Sequence, residues 1–458
     1  MTGTRALDRF GFPVRWAIDF RRARHAFGQV TSALSPADRI GLDAARLLLD
    51  GDARGAVDLL AGRAPQAFRD LFNLATAYEH LGDGSAAGKA FDAARAADGD
   101  RLAALAARRT TREANLVLPF PVTTGGMRVQ VDLARALVEF GYEVTVVQVR
   151  GDDAREVPGA DAFRDVVAVS GHPELTDRLR ASPAALTVVG CWVDYLPALR
   201  AGNSAVVGFS GGEPTLNESD GFDEDFLAYR FDAHRLPVGL MTCSRFIQDI
   251  YRDVFGRVSH YVPAAVDDRA FHTGPRPADR PFRVLLMAWD GVGDKGLSFA
   301  VPALENLRRR GLDIEIVWIT PHAPEVFVDL ACELHVDPPR ARLFEVLRSC
   351  HALVYPPLVD GLGLPPVEAM AAGVPVVVTE SGGSAEFAAP EVNCVVVEKG
   401  SVAAIEHAVE RLYRDPALAR ELAEGGRREA ERYRPSRSRS QLRQLLAADR
   451  PIVCTDIA

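Results

Sequence analysis

The chain has 458 residues, of which 48% are hydrophobic and 25% charged, and a formal net charge of −9. That length exceeds a single core and predicts two or three domains of ordinary soluble globular composition. The acidic balance argues against a nucleic-acid binder. No window of about 18 apolar residues predicts a membrane span, and the N-terminus shows no apolar signal core. The expected location is the cytoplasm, with membrane contact at most peripheral, at the inner face. Six cysteines are scattered without paired metal spacing, which fits reduced thiols.

Residues 1–112 are expected to form an all-helical, tetratricopeptide-like extension. Phe72–Asp98 carries small and large residues in the order of a helical hairpin, with Ala75 and Tyr78, a turn at Gly82, then Ala87, Phe91 and Ala94. A weaker copy starts near Leu42, with Gly51 and Ala56 repeating the Gly82 to Ala87 interval. Such an extension is a candidate surface for a protein partner.

From Ala114 the pattern becomes alternating strands and helices. Strands are expected at Asn115–Leu118, Glu143–Gln148, Val166–Val169, Leu186–Val189, Ala205–Phe209, Gly239–Thr242 and Val258–Val262. Pro263–Pro281 reads as a linker. The alternation restarts at Arg283–Met287, Ile314–Ile319, Ala352–Tyr355, Val374–Val378 and Cys394–Val397. Repeated strand–helix units require right-handed crossovers and a parallel sheet. The fold class is therefore α/β: two Rossmann-like doubly wound parallel-sheet domains plus the helical segment. The first domain is placed at 113–275 and the second at 276–432. A tail, 433–458, is expected to cross back to the first. Ligands of such sheets bind at the carboxyl ends of the strands.

Asp360–Glu386 (DGLGLPPVEAMAAGVPVVVTESGGSAE) is the most informative segment. Asp360 stands on a glycine loop. Gly361 and Gly363 flank Leu362, and Pro365 and Pro366 suit a helix start that reaches Glu368 in its first turn. Gly373 suits the helix end. A second glycine loop carries Gly383 and Glu386. Helix-start N–H groups attract an anion, glycines admit close approach, and carboxylates accept from sugar hydroxyls. Lys295, in GVGDKGL after a strand, can lie beside a diphosphate. Gly125–Gly126 lie between the first strand and its helix. They do not make a GxGxxG fingerprint, so no nicotinamide site is read. Glu213, in GFSGGEPT, is a candidate acceptor-side carboxylate. No Asp-rich metal motif is present.

Asp360–Glu386 resembles the donor-binding core of the GT-B retaining glycosyltransferases called family 4, whose pattern is Glu, Gly-Phe-Gly-Leu-Pro-x-x-Glu-Ala-Met-Ala, then Gly-Gly-x-x-Glu. The resemblance extends over about residues 114–435. It implies transfer of a sugar from a nucleoside diphosphate sugar, the co-substrate, to an acceptor hydroxyl on a glycan, a lipid-linked molecule or a small molecule. It implies no metal and no further cofactor. Asp360 takes the place of the Glu that meets the donor sugar. Backbone amides of Gly361, Leu362, Gly363 and Leu364 meet sugar and diphosphate, Glu368 grips the ribose, and Lys295 binds the diphosphate. Gly125 and Gly126 match a Gly-Gly loop facing donor and acceptor, and Gly383 and Glu386 complete the donor loop. The chain departs from the pattern in several places. Asp360 replaces Glu, Leu362 stands for Phe, Asp290 stands where the family has an Arg, and VVGCWVDY lacks a His usual after the fourth strand.

Three other readings stay open: a sugar-nucleotide epimerase of the same architecture, a nucleotide-binding protein that does not turn over, and a partner-recruiting protein acting through its extension. Two basic stretches, Arg15–Phe27 and Arg427–Arg443, are either solvated helix faces or surfaces for anionic lipid.

Overall fold

A computed structural model describes residues 112–119, 125–149, 157–201, 205–211, 234, 238–255, 257–272, 274, 281–291 and 295–447, with 52–61 and scattered positions between 44 and 93. Most of the tetratricopeptide-like reading, residues 15–27 and Glu213 lie outside these. Within the extension, one helix is described, α1 (Ala53–Ala61). Ala56, Val57 and Leu60 on it pack with Ala44, Leu74, Ala77 and Ala90 in a small core of their own.

The first domain is a seven-stranded sheet in the order β3-β2-β1-β4-β5-β6-β7. The strands are β1 (Glu113–Leu118), β2 (Glu143–Val149), β3 (Asp165–Val169), β4 (Leu186–Val189), β5 (Ala205–Ser210), β6 (Gly239–Thr242) and β7 (His260–Tyr261). Every pairing is parallel. The crossovers include α2 (Gly125–Glu139), α3 (His172–Ala181), α4 (Tyr195–Ala201) and α5 (Arg245–Phe255). β4 and β6 are buried at every residue, as Val- and Leu-rich strands covered on both faces must be.

The second domain is a six-stranded parallel sheet, ordered β10-β9-β8-β11-β12-β13. Its strands are β8 (Phe282–Met287), β9 (Ile314–Thr320), β10 (Glu333–Val336), β11 (Ala352–Tyr355), β12 (Val376–Thr379) and β13 (Val395–Val397). Around them lie α6 (Leu297–Arg309), α7 (Arg340–Arg348), α8 (Leu364–Ala371), α9 (Val402–Arg414) and α10 (Pro416–Ala430). β10 has no counterpart among the expected strands. The run expected at 374–378 begins two residues later, at Val376, after Pro375, whose carbonyl accepts from Leu353 N–H at 2.9 Å.

A last helix, α11 (Pro435–Ala447), follows Tyr433, whose carbonyl accepts from Val266 N–H at 2.8 Å. Arg439 on α11 pairs with Glu139 of α2 at 2.7 Å, and Arg443 stacks 4.6 Å over Phe140. Within the basic stretch 427–443, Arg432, Arg434 and Arg439 are engaged by carboxylates of the chain itself.

In both sheets the order reverses between two neighbouring strands, β1 and β4 in one and β8 and β11 in the other. The loops leaving those pairs diverge and open a crevice. The two crevices face each other.

Candidate active site between the two sheets

The facing crevices enclose a cavity of about 750 Å³. On one side it is lined by the start of α2, the loop after β4 and the ends of β5 and β6. On the other it is lined by the loops after β8, β9, β10 and β11 and the start of α8.

Lys295 and Asp360 meet at the β8–β11 reversal. Lys295 Nζ lies 3.1 Å from Asp360 Oδ2, and their side chains are 32% and 13% exposed. The Tyr355 hydroxyl donates to the same oxygen at 2.5 Å. Burial pushes the Asp360 carboxyl up, but Lys295, the Tyr355 hydroxyl and Gly361 N–H outweigh it and hold it below the usual carboxylate range. Burial and the neighbouring carboxylate push the Tyr355 phenol well up, so it stays a donor. Two backbone bonds fix the Asp360 loop. Its N–H donates to Ser381 O at 2.9 Å, and its carbonyl accepts from Gly383 N–H at 3.0 Å. The Lys295 loop is clamped too. Gly296 has φ of 75°, and a Cβ there would stand 2.0 Å from Pro356 O. Only glycine lets the Lys295 loop lie on the chain leading to Asp360.

Gly361, Leu362, Gly363 and Leu364 all line the cavity. Leu362 is 2% exposed, so its side chain is buried in the core. Gly363, with φ of 87°, precedes α8. The helix begins at Leu364, directly after Gly363 and ahead of the two prolines, so the expected place of Glu368 in the first turn is corrected to the second. α8 ends in a Schellman motif: Val374 N–H donates to Ala369 O, and Gly373 N–H, at φ of 72°, to Met370 O. Glu368 lines the cavity and is held by Arg340 Nη2 at 2.7 Å. Arg340 in turn stacks 4.5 Å over Phe344.

Gly125 and Gly126 open α2 and line the facing wall, and a Cβ at Gly126 would meet nothing within 4 Å. Gly383 and Glu386 lie behind the Asp360 loop and are not among the residues that line the cavity. Gly383 braces the Asp360 loop. The Glu386 carboxylate accepts from Arg245 N–H at 2.7 Å and from the Tyr261 hydroxyl at 2.5 Å, reaching across to the first domain. A parallel link is Ser244 Oγ donating to Gly361 O at 2.5 Å.

Asp290 is 8% exposed, and its carboxylate accepts from the backbone N–H groups of Glu325, Val326 and Phe327 at 2.7–3.1 Å. Burial raises its pKa, but the three amides outweigh it and the carboxyl sits below its usual range. It ties the loop after β9 to the loop after β8.

Several cavity residues carry no motif of their own. Tyr355 acts on Asp360 from the end of β11, just before its loop, and Arg340 acts on Glu368 from the start of α7, on the other side of β11. Trp289 packs edge-on to His322 at 4.9 Å at the ends of β8 and β9. His234, 1% exposed, lines the cavity near Trp192 and shares a hydrogen bond at 2.9 Å with the Tyr251 hydroxyl. The lone histidine in a segment without a strand pattern gives no signal in the sequence.

Two facing doubly wound sheets with a ligand cavity between their strand ends define the GT-B architecture. Residues 332–429 match the family model described as "Glycosyl transferases group 1". The chain is 30% identical over 209 residues to an MMP alpha-(1->4)-mannosyltransferase of Mycolicibacterium hassiacum, spanning 43% of this chain and 50% of that one. It is 31% identical over 212 residues, 40% of this chain and 55% of the relative, to a GDP-mannose-dependent alpha-(1-6)-phosphatidylinositol monomannoside mannosyltransferase of Mycolicibacterium smegmatis. The chain thus spans about half the length of the curated relatives it matches. In structure it is similar to Anabaena HepE, solved with UDP-glucose, with a TM-score of 0.62 at 14% identity, over 73% of this chain and 99% of that one. Among the described residues no helix is long and apolar enough to cross a membrane.

Proposed function

We propose that the chain is a retaining, family 4-like glycosyltransferase that moves a hexose from a nucleoside diphosphate sugar to an acceptor hydroxyl. The observation that carries this reading is the Lys295–Asp360 pair on the floor of the interdomain cavity, 3.1 Å apart, beside the amides of Gly361–Leu364. An ionised carboxylate there accepts from sugar hydroxyls, and the adjacent ammonium offsets charge developing on the leaving diphosphate. Glu368 accepts from the ribose. The cations assigned to the diphosphate are side chains, and no metal is given a role. Two of the curated relatives are named mannosyltransferases, which favours a hexose donor. The acceptor enters from the wall of Gly125, Gly126 and Trp192, with Glu213 a candidate contact. The helical extension is assigned to partner or acceptor choice, and the protein to the cytoplasm.

The test is a thermal-shift screen of the full chain against ADP-, CDP-, GDP-, TDP- and UDP-sugars. At least one stabilises the protein, and Lys295→Ala and Glu368→Ala reduce that shift. No stabilising ligand, or unchanged shifts in both variants, refutes the reading. Release of free nucleoside diphosphate without any acceptor, together with an inverted sugar, would make it an epimerase instead.

A further inference from the structure

Among the described residues the cavity is lined by Arg128, Lys295 and Arg340, each facing a carboxylate, and the pairs are unequal. Lys295 lies 3.1 Å from Asp360, and Arg340 lies 2.7 Å from Glu368. Arg128, in the first turn of α2, lies 3.6 Å from Asp337, beyond hydrogen-bond distance, and that pair bridges the two domains. Arg340 is further pinned against Phe344, so its charge is spent within the protein. Arg128 is the loosely held cation.

A diphosphate carries a negative charge on each phosphate, and Lys295 is a single point charge. Asp290, which follows β8, brings no cation, because its carboxylate is bound to the amides of residues 325–327. On the facing wall α2 begins with two glycines, and the second meets only open space. An anion can therefore lie against the first turn of α2, directly beside Arg128. We infer that Arg128 supplies the second positive charge to the donor's diphosphate, from the opposite domain to Lys295. Burial and the nearby Arg340 already destabilise the charged guanidinium of Arg128. A phosphate beside Arg128 offsets that cost, and bidentate contact suits a guanidinium better than an ammonium. Donor charge is then neutralised only when both domains contribute, one cation from each.

This inference rests on the nucleotide-sugar reading above, and its test separates the two. The full chain is titrated calorimetrically with ADP, CDP, GDP, TDP and UDP, then with the monophosphate and free nucleoside of whichever base binds. The variants are Arg128→Ala, Arg128→Lys and Lys295→Ala, each checked for an unaltered melting temperature. The expected result is a loss of roughly 10- to 100-fold in diphosphate affinity for Arg128→Ala, the range of hydrogen bonds to charged groups. Arg128→Lys recovers part of it, and free nucleoside binding stays unchanged. If no diphosphate binds the unaltered protein, the nucleotide-sugar reading falls and this inference with it. If diphosphate binds and Lys295→Ala weakens it while Arg128→Ala does not, this inference alone is overturned. An equal loss for nucleoside and diphosphate in Arg128→Ala also overturns it, since that assigns Arg128 to packing.

Discussion

Lys295 is paired with Asp360, so a diphosphate must compete with a carboxylate for the same ammonium. Removing that carboxylate charge should therefore raise affinity for a bare nucleoside diphosphate. At 3.1 Å the gross attraction between the pair is about 5 kcal/mol at an effective dielectric of about 20. Most of that is offset by desolvation of two half-buried groups, which leaves about 1–2 kcal/mol net. Asp360→Asn keeps the shape, retains a partner for the Tyr355 hydroxyl and frees Lys295. The predicted gain for the free nucleoside diphosphate is about 5- to 30-fold in Kd. The same variant loses the sugar's own contribution, so its preference for nucleoside diphosphate sugar over nucleoside diphosphate falls, and transfer slows. Titration calorimetry with both ligands measures the two effects together. A Kd for the free diphosphate that is unchanged or weaker in Asp360→Asn refutes the idea that the pair must exchange partners on binding.

Three further outcomes follow from the geometry. Gly126→Ala places a methyl in open space within a helix, so the melting temperature should hold or rise slightly while donor affinity falls. Equal losses in both would make the glycine structural. Glu368→Gln should weaken ribonucleotide binding by about tenfold and leave 2′,3′-dideoxynucleotide binding unchanged, since the lost contact is to the ribose hydroxyls; equal weakening for both would remove that role. Asp360 and Asp290 are both held below the ordinary carboxylate range in the folded chain. The unfolded chain therefore binds more protons in acid, and the stability these groups add is present above about pH 4 and lost as pH falls through their folded values. Scanning fluorimetry should show a plateau from neutral pH down to about pH 5 and a fall below about pH 4, less steep in Asp290→Asn; an acid limb of the same steepness in that variant would contradict the role of the amide cluster.

The architecture is legible in the chain because buried parallel strands are short runs of Val, Leu and Ile. Leu186–Val189 and Gly239–Thr242 fall where the residues place them. β10 is not legible, because its pattern is reversed. Glu333 and His335 turn inward, where Glu333 meets Arg283, while Leu334 and Val336 are 41% and 47% exposed at the sheet edge. The proximity of Asp360 and Lys295, 65 positions apart, is implied only once β8 and β11 are known to be neighbours at the reversal. Nothing local signals Arg340 opposite Glu368, since that contact is made by the start of α7, on the other side of β11. Asp290 reads in sequence as a missing cation. Its actual role depends on the backbone of residues 325–327, which composition does not encode. The bonds of Glu386 to Arg245 N–H and the Tyr261 hydroxyl join residues more than a hundred positions apart, and no local pattern signals them.

The hydroxyl of Ser244 and the amide of Arg245, at the threshold of a helix in one lobe, are bonded to Gly361 and Glu386 in the other. The glycine loop that lines the cavity in the second domain is therefore moored to the first. Replacing the first domain by a relative's would loosen that loop unless Ser244 and Tyr261 travel unchanged.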